Sequence, residues 1–344
     1  MANTTVPRDR ERLLIHRLAK IIPSAGIRGD FRGLRVGIGD DAAVLRPDSR
    51  SELVVSCDSC LEGVHFHSRI QPPESVGYKA LARATSDLAA MGAIPIYFLL
   101  TLALPSEKTG KWLDRFARGM AKAARQFRMS LIGGDVSKAA SVVIEVTVLG
   151  RVGPGMAALR SNARPGDLIY VSGQLGRAQL GLEIALRGLA NRTLLKKLVQ
   201  QHFYPEIRLG LGHWLASNRV ASAMMDLSDG LSMDLPRLCQ ASGVGARTFK
   251  DKIPLPEIPS QFLRLHIDPL QLALHGGEDY ELLFTVPPRL APRLGRAPAA
   301  PSLKMIGEIT RGREILLVAS DGTASKLPSF GWDHFRANKR KRGR

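Results

Sequence analysis

Cysteine is scarce in this chain: three in 344 residues, Cys57, Cys60 and Cys239. Three thiols cannot build a disulfide framework, so a reducing compartment is expected, with the cytoplasm the natural one. Long apolar runs are missing as well. The longest, Ile94 to Leu104 (IPIYFLLTLAL), falls well short of the ~20 residues a spanning helix needs, and no membrane partner is expected. The opening residues MANTTVPRDRERLL have no apolar core of the signal-peptide kind. Aromatics are only 6% and do not interleave with basic residues, which argues against a base-stacking surface and against a specific nucleic-acid partner. No G-x-x-x-x-G-K-[ST] occurs, so a P-loop is excluded.

Acidic residues are outnumbered, 31 against 49 Lys and Arg, for a net charge of +18. That balance favours anionic partners: nucleic acid, anionic lipid or phosphorylated small molecules. Five of the positive charges stand in the last six residues, and such a block reads as a solvated, disordered tail over 337–344. The body remains basic without it. Hydrophobic residues at 44% and charged residues at 23% are ordinary for a globular protein, and the length suggests about two domains.

Periodicity predicts a helix over 8–21, strands at 34–39 and 52–59, a helix over 75–92, a buried strand at 94–104 and a helix over 107–127. Strands follow at 131–134 and 141–152. The Gly- and Pro-bounded stretch 153–167 is the expected domain boundary. Beyond it come a strand at DLIYVSG, helical stretches over 176–189 and 191–216, strand ASAMMDLS, helix 230–241 and late strands at MIGEI and EILLVAS. Residues 291–302 (APRLGRAPAAPS) read as a surface loop. Strict βαβ alternation is absent, so the expected fold class is α+β in two domains rather than one doubly wound sheet. The expected division is a helical segment 1–30, domains 31–155 and 156–336, and the tail.

Two motifs lead nowhere. Gly37-Ile-Gly39-Asp-Asp-Ala42 matches a dinucleotide fingerprint, but Arg46-Pro47-Asp48 stops the helix that would have to follow. Cys57-Asp-Ser-Cys60 has no second ligand pair at zinc spacing, and on a strand the two cysteines point to opposite faces.

The informative residues are aspartates that recur beside apolar or Gly-rich turns: Asp40-Asp41, Asp58, Asp87, Asp135, Asp226, Asp229 and Asp279. Asp87 is the sharpest. On a helix over 76–91 it falls within an apolar arc of about 140° formed by Val76, Ala80, Leu81, Ala84, Leu88 and Met91, while Lys79, Arg83 and Ser86 lie outside. A carboxylate there needs a cation or several donors, an ordinary ion pair being one solution. Ile132-Gly133-Gly134-Asp135 puts an aspartate after a strand, and Asp226-Leu-Ser228-Asp229-Gly230 puts two before a helix, where capping is also ordinary. Together these carboxylates suit several hard divalent cations. Mg²⁺ takes one or two carboxylates and completes its shell with water and phosphate oxygens.

Eight blocks in order, GIGDDAAVL (37–45), SCDSCLEGVHF (56–66), YKALARATSDLAAMGAIP (78–95), LIGGD (131–135), LRSNARPGD (159–167), DLSDGL (226–231), GGEDYELLF (276–284) and GWDHF (331–335), resemble the thiamine-monophosphate kinases. That family belongs to the aminoimidazole ribonucleotide synthetase superfamily. The resemblance implies a mixed-sheet N-terminal domain that dimerises, a C-terminal α/β sandwich domain, and ATP- and Mg²⁺-dependent phosphorylation of thiamine monophosphate to thiamine diphosphate by a homodimer. It puts Asp41, Ser56, Cys57, Asp58, Asp87, Asp135, Asp226 and Asp229 at metal positions. Phe116, Gly134, Asp135, Arg160 and Ser228 fall at ATP positions, and His65, Glu278 and Trp332 at thiamine-phosphate positions. Asp58, Asp87, Asp135 and Arg160 are the expected catalytic set. The family pattern has Thr where Cys57 and Val136 stand. Alternatives are a selenophosphate synthetase-like or aminoimidazole ribonucleotide synthetase-like enzyme, or a basic nucleic-acid-binding protein, which would leave the carboxylates unexplained.

Overall fold

The computed structural model describes residues 10–23, 33–36, 38, 42–46, 50–189, 193–258, 267–298, 303–328 and 330–332. Asp41 and the basic tail lie outside them. The chain forms two compact units, one of residues 1–158 with 203–219, the other of 159–202 with 220–344.

The first unit opens with α1 (Arg10–Ile21), the short pair β1 (Leu34–Val36) and β2 (Val44–Leu45), then β3 (Glu52–Leu61). It continues with α2 (Pro73–Ala90), β4 (Ile94–Leu104), α3 (Lys111–Phe127), β5 (Ser130–Lys138) and β6 (Val143–Val152). Strands β3-β6-β4-β5 form a mixed sheet, parallel only between β4 and β5. Alternation sets its two faces. Phe98, Leu100, Leu102, Ile144, Val146 and Val148 are fully buried on the face that α2 covers. On the other face the β1–β2 pair covers Tyr97 and Leu149, while Leu53 and Val55 of β3 stay 57% and 55% exposed.

Helix α2 is not the amphipathic helix that its sequence pattern predicts. Lys79 and Ser86 are fully buried, because α3 and a later helix pack on the side away from the sheet. Two glycines permit that packing. A Cβ on Gly77 would lie 2.1 Å from the Phe116 carbonyl oxygen, and one on Gly119 1.8 Å from that of Glu74, so the α2 and α3 backbones meet directly.

The second unit begins with β7 (Leu168–Val171), α4 (Arg177–Leu186) and α5 (Thr193–Phe203). The chain then returns to the first unit for α6 (Leu209–Ser217), which packs on α2. One helical stretch was expected over 191–216; residues 204–208, with Pro205 among them, split it in two. The second unit resumes with β8 (Ala223–Leu227), α7 (Leu231–Ser242), β9 (Gly245–Phe249), α8 (Pro269–His275) and β10 (Glu281–Val286), then β11 (Lys304–Thr310), β12 (Ile315–Val318) and β13 (Ala324–Lys326). Seven strands form a mixed sheet in the order β13-β12-β9-β11-β7-β10-β8. Ile169, Val171, Met225 and Leu283 of this sheet share one buried cluster with Leu231, Leu235 and Leu238 of α7. Within the expected loop 291–302, residues as far as Arg296 belong to 3₁₀ turns that begin at Pro288. The architecture is α+β with mixed sheets. Among the described residues no helix is long and apolar enough to cross a membrane.

Candidate functional site

In the first unit the residues gather on the α2-facing side of β3. Ser56 and Asp58 stand two residues apart and so share that face. Ser56 Oγ donates to Oδ2 of Asp87, which is half-buried on α2. Asp58 is held by Arg83 through a two-bonded fork, Nε to Oδ2 at 3.1 Å and Nη2 to Oδ1 at 3.2 Å. Arg83 was expected outside the buried arc; its side chain is only 11% exposed.

Cys57 points the other way and is exposed, accepting weakly from Thr147 Oγ1 at 3.4 Å, whereas Cys60 is buried. Its thiol therefore stands across the sheet from Asp58 and Asp87.

Asp135 does not join this group. It lies within β5, which runs on to Lys138 rather than ending before it. Its row across the sheet is Asp135, Thr101, Glu145 and Ser59. Asp58 is one residue removed from Ser59 and thus on the opposite face. Beside Asp135, Gly134 is explained by packing: its φ is +148°, and a Cβ would lie 1.9 Å from the Leu100 carbonyl oxygen. Phe116 is a correction. Its ring is fully buried, stacked on Trp112 at 5.4 Å between centroids, so it serves the core and offers no surface to a nucleotide. His65 follows β3 and accepts from Leu61 N–H at Nδ1 (3.0 Å), which leaves the proton of a neutral ring on Nε2.

In the second unit the resemblance residues converge on the loop between β8 and α7. Asp226 is buried in β8, paired with Leu282 of β10. The Ser228 carbonyl accepts from Glu278 N–H at 2.8 Å, and the Asp229 carbonyl accepts from Trp332 N–H at 3.1 Å. One loop thus carries both candidate thiamine-phosphate residues of this unit. Glu278 and Tyr280 both have positive φ, 67° and 51°. Non-glycine residues adopt that region at a cost and concentrate where a site demands it. The Glu278 carboxylate lies 3.3 Å from Nδ1 of the buried His202. Trp332 is 46% exposed. Arg160 is exposed in a 3₁₀ turn whose carbonyl accepts from Ser242 Oγ.

Asp229 has its own cation. Arg237 Nη1 contacts Asp229 Oδ2 at 2.5 Å and Asp234 Oδ1 at 2.8 Å, and Asp234 Oδ2 accepts from Asp229 N–H. Burial pushes the Asp234 carboxyl up to about 6 against the opposing pull of Arg237. Asp279 is structural. It accepts from Gly176 and Ala178 N–H and so caps the start of α4, and burial pushes its carboxyl up to about 7.

Arg83 and His202 have partners that the fold brings close, 25 residues away for Arg83 and Asp58. Asp234 and Arg237 are a local pair on α7, at an i,i+3 spacing that the sequence itself displays. Among the described residues no three His, Cys, Asp or Glu side chains stand close enough to hold a metal ion by themselves. The donors at hand, Ser56, Asp58 and Asp87, are hard oxygens of the kind Mg²⁺ takes in ones and twos.

The matching family models are AIR synthase related protein, N-terminal domain, over residues 39–152, and C-terminal domain, over 164–319. Thiamine-monophosphate kinase of Bacillus subtilis (strain 168) is 36% identical over 310 residues, covering 88% of this chain and 94% of that protein. The crystal structure of thiamine-monophosphate kinase from Stenotrophomonas maltophilia K279a superposes with a TM-score of 0.76 at 35% identity, covering 91% of this chain and 96% of that one. A structure of AaThiL complexed with AMPPCP and TMP superposes with a TM-score of 0.75 at 30% identity, covering 97% and 100%. With both family models matched in order and relatives alike over nearly their whole length, this chain belongs to the thiamine-monophosphate kinase family of AIR synthase related proteins.

Proposed function

We propose that the chain transfers the γ-phosphate of ATP to the phosphate of thiamine monophosphate, giving thiamine diphosphate and ADP. The observation that carries this is the near-full-length likeness to thiamine-monophosphate kinases, together with a relative of the same fold that holds AMPPCP and TMP. No second reading has an observation in its favour.

Transfer between two anionic groups needs charge neutralisation and alignment more than a protein nucleophile. Ser56, Asp58 and Asp87 would hold Mg²⁺, with Asp226 and Asp229 the candidates in the second unit and Asp41 a further one outside the described residues. Bound Mg²⁺ would supply positive charge for the phosphate oxygens. Arg160 would bind phosphate through its fork, and Ser228 would orient the nucleotide. His65 and Glu278 would position the acceptor, and the Trp332 indole would stack on its flat cationic ring. The acceptor phosphate is ionised near neutral pH, so no general base is required.

A homodimer is part of the proposal. Leu53 and Val55 expose an apolar patch on β3, and among the described residues no further strand of the sheet pairs beyond β3. Such edges and patches mark association surfaces. Asp135 stands on that face, so it would act at a site completed by the second copy. The free thiols suit work in the cytoplasm.

The test is ADP formation by the purified chain with ATP and Mg²⁺, with thiamine monophosphate, unphosphorylated thiamine or no acceptor. ADP release that requires thiamine monophosphate is expected; equal release with all three would refute the assignment.

A further inference from the structure

Arg83 stands one helical turn before Asp87 on α2, on the side that meets β3. Its fork takes both oxygens of Asp58 at once, so it fixes the plane of that carboxylate. Asp58 is 30% exposed and Arg83 11%, so water screens this pair only in part. Asp87 adds a second negative charge on the same face, held through Ser56. Two half-buried carboxylates without a cation would repel each other and resist burial. The oxygens that Arg83 engages are also those a divalent ion at Asp58 must use. The second unit repeats the device, with Arg237 of α7 engaging Asp229.

We propose that Arg83 is the resident counter-cation of the Asp58–Asp87 pair. It holds Asp58 in place in the metal-free protein and competes with Mg²⁺ for that carboxylate, and so sets the Mg²⁺ concentration at which the site fills. Arg83 is in this sense a positioning residue. The inference rests on the reading of Asp58 and Asp87 as metal residues.

The test uses the full chain without nucleotide and Mg²⁺ alone as the probe, with melting temperature followed against Mg²⁺ concentration. Wild type is expected to melt higher as Mg²⁺ rises, and Asp58→Asn to lose the part of that response that the Asp58–Asp87 site supplies. Arg83→Met should melt lower than wild type without Mg²⁺, yet reach half of its Mg²⁺-induced rise at about tenfold lower concentration, a factor worth about 1.4 kcal/mol. Arg83→Lys keeps the charge but not the fork, and its midpoint should fall between the two. It also stands in should the Met variant fail to fold. Folded Arg83 variants with lower melting temperatures and the wild-type midpoint would show a purely structural arginine and overturn the inference alone. A wild-type chain indifferent to Mg²⁺ would overturn the metal reading and this inference with it.

Discussion

Asp87→Asn separates a metal role from a structural one because the two predict losses of different size in different quantities. Asn is nearly the shape of Asp and keeps one carbonyl oxygen, which can still accept from Ser56 Oγ. Exchanging a charged acceptor for a neutral one costs about 1 kcal/mol. For a chain of this size that lowers the melting temperature by only about 2–4 °C. The catalytic loss is larger. Removing a preorganised electrostatic partner typically costs 10²–10³-fold in kcat, about 2.7–4 kcal/mol, and a missing carboxylate also weakens the hold on the ion. The assay is steady-state turnover at saturating ATP and thiamine monophosphate over a Mg²⁺ series. The variant should fall at least about 10²-fold and recover in part at high Mg²⁺, since a weakened site still fills by mass action. A folded variant within threefold of wild type, with an unchanged Mg²⁺ profile, would show that Asp87 only orders Ser56.

Trp332→Ala should raise KM for thiamine monophosphate by roughly 3–30-fold, the range a cation over an aromatic face supports, with KM for ATP little moved; equal damage to both would misplace the indole. Gly119→Ala puts a Cβ 1.8 Å from the Glu74 carbonyl oxygen and should cost at least about 2–3 kcal/mol in urea unfolding, while Gly110→Ala, with nothing within 4 Å, should cost far less. Similar costs at the two positions would refute the close helix contact. Asp234 and Asp279 keep protons to about pH 6 and about pH 7 in the folded chain, whereas unfolded carboxyls release them near pH 4. Folding therefore takes up protons, and the contribution of these groups falls as pH rises from about 4 to 7, then levels. Asp279→Asn should flatten part of that decline in urea melts at pH 4.5, 6 and 8; a slope equal to wild type would contradict the buried carboxyl.

The strands and helices that carry the site were legible because their patterns are local. The alternation in 94–104 and the turn residues around 226–230 each reflect an element's own geometry. What failed was any inference about a helix's far side. Lys79 and Ser86 read as solvent-facing because nothing in the 75–92 segment announces that α3 and α6 will cover it. Phe116 shares an apolar face with Met120 and Phe127 in the sequence pattern, and its burial follows that pattern. The sequence marked Asp58, Asp87 and Asp229 as candidates but not the arginines that engage two of them. The Arg83–Asp58 pairing arises from tertiary placement, as does the separation of Asp135 from Asp58 across the sheet, which follows from strand register; the Arg237–Asp229 pairing is local to the start of α7.

The most direct measurement follows the phosphate itself. ATP labelled in its γ-phosphate is incubated with the purified chain, Mg²⁺ and thiamine monophosphate, and the products are resolved. The account predicts one labelled thiamine diphosphate for each ADP, with the label in its terminal phosphate. Label released as inorganic phosphate, with thiamine monophosphate recovered intact, would contradict it.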